Sequence, residues 1–383
     1  MCPVKPMFNR RFRDIFLILT EFCPNRCVYC YIRNRERRET MPMEYIDKLI
    51  ASFAFEQPRI IFFGGEPLVE LELMEKVLAK YWNTCRFQMV TSATVNYERF
   101  IEEIYPAYPI PEIQLSWDGT GNTNRPRLNG EDIQDEVFKK IIWTLDHKVA
   151  IDVKCVINDD NVANLLNTYL GFKALQGEYP GLVHGDFVVA HQKEFRSGFS
   201  SKLGLGLRSA LYTIGEDLAR KTTPYIPRDW MNKIIAVMVK DNNISSCDAG
   251  NYVVMRPNGD LYPCTIFSQL DYGRYKVGNI CENGINNEVF DVIKRKCSHD
   301  DCQRCPVDCL CDGGCRYERY IQQGEHFDDY YCPHQCETIQ VFYHEISAWI
   351  NHLTLEEKTM LAGYLQKYQR WALNYSLPRS DGK

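Results

Sequence analysis

The chain of 383 residues has no apolar run long enough to cross a bilayer; the first, IFLILT at 15–20, is six residues long and runs into Glu21 and a cysteine. A spanning helix needs about 20 apolar residues and a signal sequence a longer core than this, so the chain reads as cytoplasmic with no membrane partner. Positive charge is not in excess either. Lys and Arg number 45 against 50 Asp and Glu, a net charge of −5. With the signs mixed along the chain, no nucleic acid polymer is expected as a partner. The basic runs NRRFR (9–13) and RNRERR (33–38) are short and read as solvated loop faces. Histidine is scarce, with eight in all and none before His147, and these read as surface or capping residues. No internal repeat or long polar tract is present, and only the terminal PRSDGK reads as a frayed tail.

Cysteine is abundant instead, with 17 in the chain. In a reducing compartment a disulfide framework is not expected, which leaves metal or redox chemistry. Cys2, Cys85 and Cys155 are isolated and read as small apolar side chains. Cys23, Cys27 and Cys30 fall within the stretch EFCPNRCVYC, and the other eleven lie between Cys247 and Cys336.

Between these two groups the chain alternates. IFLILT, IIFFG (60–64), FQMVTS (87–92), EIQLSW (112–117), AIDVKCVI (150–157) and DFVVA (186–190) are short runs rich in β-branched and aromatic residues, the pattern of buried parallel strands. Amphipathic stretches such as MEYIDKLIASF, LELMEKVLAKYW and IQDEVFKKIIWTL separate them. Six strand–helix units predict an α/β fold with a partial (β/α)6 TIM-type barrel over residues 1–190, whose reactive loops follow the strand carboxyl ends. A helical bridge over 191–245 is expected to be partly mobile, because RSGFSSKLGLGLRS is rich in Gly and Ser. The glycines of LGLG read as loop flexibility. A cysteine-rich domain follows over 246–337, then C-terminal helices over 338–383.

Three thiolates held about 4 Å apart repel by roughly 4 kcal/mol per pair at an effective dielectric near 20, so the first trio needs a cation. Structural zinc wants a fourth ligand, and none is adjacent. A 4Fe-4S cluster with three protein ligands leaves one iron open. Cys-x3-Cys-x2-Cys with Tyr29 before the last cysteine, followed by a strand ending in Gly64-Gly65-Glu66-Pro67, resembles the radical S-adenosylmethionine (radical SAM) superfamily. The resemblance implies that the open iron chelates the amino and carboxylate groups of S-adenosylmethionine and that the GGEP segment lines the same amino group. On the residues themselves, two glycines permit close backbone approach, Glu66 offers an acceptor for an ammonium, and Pro67 stiffens the exit. Ser116 in SWDG is implied near the ribose, while Asp118-Gly119 reads as a turn.

Further along, Cys247, Gly259 and Cys264, then Cys302-x2-Cys305-x5-Cys311-x3-Cys315 and Cys332, resemble the SPASM extension of that superfamily, which implies two auxiliary iron-sulfur clusters of 4Fe-4S type. The resemblance implies Cys302, Cys305, Cys311 and Cys332 as ligands of the distal cluster and Cys247, Cys264 and Cys315 as ligands of the nearer one. RPNGDLYPC reads as a hairpin with Asn258-Gly259 at its turn. Some relatives have a further cysteine where this chain has Val253, so the near cluster has either an open iron or a substitute ligand, for which Cys281 is the first candidate. Two structural zinc ribbons in a scaffold protein are the alternative from another class.

The resemblance also implies a mechanism. An external one-electron donor of flavodoxin or ferredoxin type reduces the first cluster, S-adenosylmethionine is cleaved to a 5′-deoxyadenosyl radical, and that radical abstracts a hydrogen atom from the substrate. Relatives with the extension act mostly on peptide or protein side chains, which makes a peptide maturase the first reading and a small amino-acid-derived, sugar or nucleotide substrate the second. Thr265 follows Cys264 where the sulfatase-maturing group carries an aspartate, which counts against that assignment. Only 22 residues precede Cys23, so a separate leader-peptide-binding protein is expected if the substrate is a peptide. His191 and Tyr262 are the polar side chains expected nearest the site; no catalytic acid or base is assigned.

Overall fold

The structure, a computed structural model, describes residues 8, 12–53, 57–191, 194–239, 248–270, 273–282, 284–294, 305, 307–311, 315–317, 320 and 333–376. Period-two burial builds its centre. Strands β1 (Asp14–Ile18), β2 (Arg59–Phe63), β3 (Arg86–Thr91), β4 (Glu112–Ser116), β5 (Ile151–Ile157) and β6 (Val183–Val189) pair in sequence order, all parallel. One face carries Leu17, Phe62, Met89, Leu115 and Val153, all inaccessible to solvent, and helices cover it. These are α1 (Met43–Ala51), α2 (Leu71–Tyr81), α4 (Gln134–Asp146) and α5 (Leu165–Glu178). In α2, Leu71, Met74, Val77 and Leu78 are buried at the spacing of one helical stripe. The third connection, α3 (Tyr97–Arg99), continues as a π turn over Phe100–Ile104 that buries Phe100, Ile101 and Ile104.

This is the expected partial barrel, and its sheet extends further. Strand β7 (Val253–Met255), from the cysteine-rich segment, pairs parallel to β1; β8 (Asp260–Tyr262) and β9 (Gly278–Asn279) add antiparallel beyond it. Gly259 sits at φ +83° in the turn between β7 and β8, where the expected Asn258-Gly259 hairpin needs a left-handed residue. The seam between β1 and this hairpin carries a buried ion pair: Arg256 Nη2 lies 2.6 Å from Glu21 Oε1, the two side chains 5% and 1% exposed.

One expectation is overturned. The Gly/Ser-rich stretch of 196–209 is not a mobile loop; residues from 199 onward belong to α6 (Phe199–Ala219), 21 residues long. Its glycines serve close packing. A Cβ on Gly206 would stand 3.1 Å from Leu165 of α5, and one on Gly215 would stand 3.2 Å from Trp349 of the long helix over Pro333–His352. Helix α7 (Arg228–Val239), α8 (Glu288–Lys294), α9 (Asp308–Cys311), α10 (Pro333–His352) and α11 (Leu355–Ser376) complete the described elements. Among the described residues, no helix is long and apolar enough to cross a membrane.

The two ends of the barrel differ in chemistry. At the strand amino ends the inner face is braced by ion pairs: Arg59 forks onto Asp14 (2.8 Å) and Glu112 (3.2 Å), and Arg228 reaches Asp152 at 2.7 Å. At the carboxyl ends the loops after β1, β2, β3 and β4 converge.

Candidate active site

Four successive loops are tied to one another, and the cysteine trio lies in the first of them. Gly65 N donates to Thr20 O at 2.9 Å and Glu66 N to Phe22 O at 2.9 Å, so the GGEP segment lies flat on the backbone that leads into the cysteines. Glycine is required there, because a Cβ on Gly65 would come within 2.1 Å of Phe22 O and 2.4 Å of Glu21 O. Gly64, at φ +136°, takes a conformation that only glycine adopts without strain. The close backbone approach expected of these glycines is therefore made to the cysteine loop itself.

Glu66 does not stand free to receive an ammonium. Its Oε1 accepts from Thr91 Oγ1 at 2.6 Å and from Leu68 N at 3.2 Å, and its Oε2 accepts from Ser92 N at 2.8 Å and from the Ser92 hydroxyl. Four donors fill what a carboxylate accepts. Buried to 1% exposure, Glu66 pins the end of β2 to the end of β3. Pro67 occupies the first position of the short 3-10 turn that Glu66 caps. Asn25, between two of the cysteines, makes the matching tie: its Nδ2 donates to Ser92 Oγ (2.9 Å) and Thr94 Oγ1 (3.1 Å).

The fourth loop pairs with the first. Arg26 N donates to Pro126 O and Val28 N to Asn124 O, with an antiparallel bridge between Asn25 and Arg127. Beneath this pairing Tyr29 Oη donates to Asp118 Oδ2 at 2.6 Å and accepts from Arg125 Nη1 at 2.7 Å, while Asp118 Oδ1 takes the Val156 N–H at 2.9 Å. Asp118 is 1% exposed. It is the buried partner of Tyr29 and not merely a turn residue. Asp118 stands in the SWDG motif only as a turn residue and Arg125 in no motif; the long-range pairing brings both in. Ser116 lies half-buried at the end of β4 on the inner face, opposite the Ile113 and Leu115 side. The RNRERR run is also more than a solvated face, since Arg35 O accepts from Cys23 N at 3.1 Å and Arg35 Nη1 reaches Cys27 O at 3.3 Å.

The trio's surroundings bear on what it holds. Burial, and after it the Glu66 carboxylate, pushes the Cys23 thiol up to about 12, and the charges of Cys27 and Cys30 act on it in the same direction. Burial raises Cys27 too, with the Arg125 guanidinium the strongest influence in the opposite direction. Such thiols ionise only against a metal, which deprotonates its thiol ligands outright. Among the described residues, no three His, Cys, Asp or Glu side chains are grouped for a single metal ion. One zinc, bound at about 2.3 Å, draws its sulfurs to within about 4 Å of one another. A cluster, whose cysteines bind separate irons, spreads them wider. Two buried polar atoms here, Asn25 Oδ1 and Arg125 Nε, have no hydrogen-bond partner in the protein. Three thiols in one loop beside unpaired polar atoms fit a cluster with a polar ligand.

The second set of cysteines divides in space. Cys264 and Cys315 border one cavity of about 450 Å3 at the carboxyl end of β6, with His191, Asp229, Lys233 and Thr265 also in its wall. Cys305 and Cys311 lie together elsewhere, packed with Val307, Leu310, Ala236 and Ile339. Cys247, Cys302 and Cys332 lie outside the described residues, although Gly250 N donates to Pro263 O at 2.8 Å close to Cys264. Tyr31 joins the two regions: it packs against the cluster of Cys264, Ile266 and Phe267 and lies beside Thr265 and Cys30. Tyr262 faces inward with Phe16, Ile18 and Val254. Cys281, the expected substitute ligand, stands away from Cys264. It is exposed beside Lys48 of α1, at 4.0 Å, just past the β9 residue that pairs with Asp260. Cys264 lies beyond the other end of β8, and antiparallel pairing sends the two chains in opposite directions.

These features define a class. Residues 17–167 match the family model described as the Radical SAM superfamily, so the chain carries a radical SAM domain and is an enzyme. Among characterised relatives, it is 24% identical over 356 residues to the cysteine-type anaerobic sulfatase-maturating enzyme of Clostridium perfringens, covering 81% of this chain and 90% of that one. It is 22% identical over 332 residues to the radical SAM cyclopropyl synthase TigE of Paramaledivibacter caminithermalis, covering 80% and 68%. The solved structure of native anSMEcpe with bound AdoMet superposes with a TM-score of 0.69 at 20% identity, over 88% of this chain and 98% of that one. Streptococcus suis SuiB bound to precursor peptide SuiA gives 0.59 at 13%, over 85% and 76%.

Proposed function

We propose that the chain is a SPASM-type radical SAM enzyme that abstracts a hydrogen atom from a peptide or protein side chain, leaving it oxidised or crosslinked. The observation that carries this reading is the cavity shared by Cys264, Cys315 and the end of β6, joined to the trio through Tyr31 and Thr265. At about 450 Å3 it lies in the lower range of small-ligand sites, a size for one residue's side chain. Two similar proteins point to peptides: anSMEcpe has been solved with a Cp18Cys peptide and SuiB with its precursor peptide. A small metabolite of similar volume is the second reading, favoured by the same dimension.

On this reading Cys23, Cys27 and Cys30 would hold the 4Fe-4S cluster that binds S-adenosylmethionine. Cys247, Cys264 and Cys315 would hold the near auxiliary cluster, and Cys302, Cys305, Cys311 and Cys332 the distal one. When bound, the first cluster supplies the electron that splits S-adenosylmethionine into methionine and the 5′-deoxyadenosyl radical that takes the substrate hydrogen. The chain's own residues keep the site rigid and dry. Gly64 and Gly65 hold the second loop against the first, Glu66 and Asn25 lock both to β3, and Tyr29 ties the cysteine loop to Asp118. Ser116 offers a hydroxyl from the inner face toward the ribose. The Thr265 side chain lies beside Tyr31 and supplies no carboxylate base. An external donor of flavodoxin or ferredoxin type and a separate leader-binding protein complete the assignment, with 1–190, 191–245, 246–337 and 338–383 as its units.

The test is deuterium transfer. Protein reconstituted under anaerobic conditions, with dithionite and S-adenosylmethionine, is offered peptides carrying perdeuterated side chains; deuterium in the released 5′-deoxyadenosine supports the reading. Release of 5′-deoxyadenosine with transfer only from small metabolites would move the substrate to the second reading. Equal release by wild type and Cys27→Ala would refute both.

A further inference from the structure

The bridge between Asn25 and Arg127 fixes a register. Counting inward along the same antiparallel pairing sets Cys27 directly opposite Arg125, and the flanking bonds Arg26 N to Pro126 O and Val28 N to Asn124 O hold that register from both sides. Residues directly opposite in such a pair have Cβ atoms about 4.5–5.5 Å apart. Arg125 is 6% exposed, so its charge is little screened by water. Along its hydrogen-bond chain the acidic neighbour among the described residues is Asp118, one hydroxyl away through Tyr29. Arg35, the other cation near Cys27, is more open to solvent and spends its Nη1 on a backbone carbonyl.

A buried cation opposite one ligand of a cluster acts on its electron affinity. The cluster takes up one electron and gains one negative charge, with no bond made or broken, and net charge and hydrogen bonding around the sulfurs set its potential. We propose that Arg125 is a positioning residue for the radical reaction, a fixed counter-cation set against Cys27 that stabilises the reduced cluster and raises its potential. Asp118 works against it through Tyr29, so the potential follows the balance of the pair. The inference rests on the reading of the trio as a cluster site and goes beyond it, because nothing in that reading assigns Arg125 a role.

The experiment is a potentiometric titration of reconstituted full-length protein, read through the electron paramagnetic resonance signal that S-adenosylmethionine perturbs. Arg125→Gln, Arg125→Lys and Asp118→Asn are compared with wild type. At the wild-type midpoint, Arg125→Gln is expected to lower the ratio of reduced to oxidised cluster tenfold or more, equivalent to 59 mV for one electron. Arg125→Lys, which keeps the charge, is expected to stay within tenfold of wild type, and Asp118→Asn is expected to shift the ratio upward. A change below tenfold for Arg125→Gln, an equal loss for Arg125→Lys, or a downward shift for Asp118→Asn each overturns the proposal. If Arg125→Gln does not fold, the other two variants still decide it: Arg125→Lys within tenfold of wild type together with an upward shift for Asp118→Asn supports the proposal, and failure of either overturns it. Wild-type protein that takes up no iron and shows no such signal refutes the cluster reading itself, a result separate from unchanged potentials.

Discussion

Adding one methyl group at Gly65 is expected to separate two loops. The new Cβ would meet Phe22 O at 2.1 Å and Glu21 O at 2.4 Å, and both obstacles are backbone atoms that cannot swing aside. Overpacking of that kind costs about 1–3 kcal/mol. Separating the loops also breaks the bonds from Gly65 N to Thr20 O and from Glu66 N to Phe22 O, each worth about 1 kcal/mol. Gly65→Ala should therefore destabilise the protein by about 3–5 kcal/mol and impair iron uptake by the trio. Gly171→Ala is the counterpart, since a Cβ there meets nothing within 4 Å and the residue lies inside α5. Replacing glycine in a helix interior should stabilise by about 0.5–1 kcal/mol. Urea unfolding and absorbance near 400 nm per chain measure both effects. A Gly65→Ala protein within 1 kcal/mol of wild type and with full absorbance would refute the close-packing argument.

Arg256→Met leaves buried Glu21 at the β1–β7 seam with the half-exposed Arg37 at 3.9 Å in place of its close partner and should cost about 3 kcal/mol in the same denaturant assay, whereas Glu21→Leu combined with Arg256→Met should recover most of that loss. His184 is held near pKa 4, by burial first and then by Arg228, below its ordinary value of 6.5. The unfolded chain thus binds this proton more readily, so stability should fall as pH drops from about 6.5 toward 4, by about 2–3 kcal/mol. His184→Gln should flatten that part of the pH–stability curve relative to wild type, and an unchanged slope would contradict it. Cys281→Ser should leave iron content per chain unchanged, while Cys264→Ser should lower it; a fall with Cys281→Ser would return that residue to the ligand set.

Local pattern sufficed for the six barrel strands, because a strand buried on one face and half-buried on the other writes its period into five to seven consecutive residues. It also marked the trio and GGEP, two segments that the structure hydrogen-bonds to each other at the carboxyl end of the barrel. It misread 196–209, since glycine in a sequence signals a loop and only the neighbour Leu165, 3.1 Å from a Cβ placed on Gly206, reveals a closely packed helix. Glu66 was visible as an acidic residue in the right motif, yet Thr91 and Ser92, 25 and 26 residues away, take up its oxygens.

What the sequence determined by itself was the class of chemistry, because ligand type and spacing are local properties of the chain. What only the tertiary structure decided was the company those ligands keep. The pairing that sets Arg125 across from Cys27, the tie from Tyr29 to Asp118 and the removal of Cys281 to the far end of its hairpin depend on contacts between segments far apart in the chain. No window of residues contains them, since strand register and loop closure are fixed by the burial of the whole sheet.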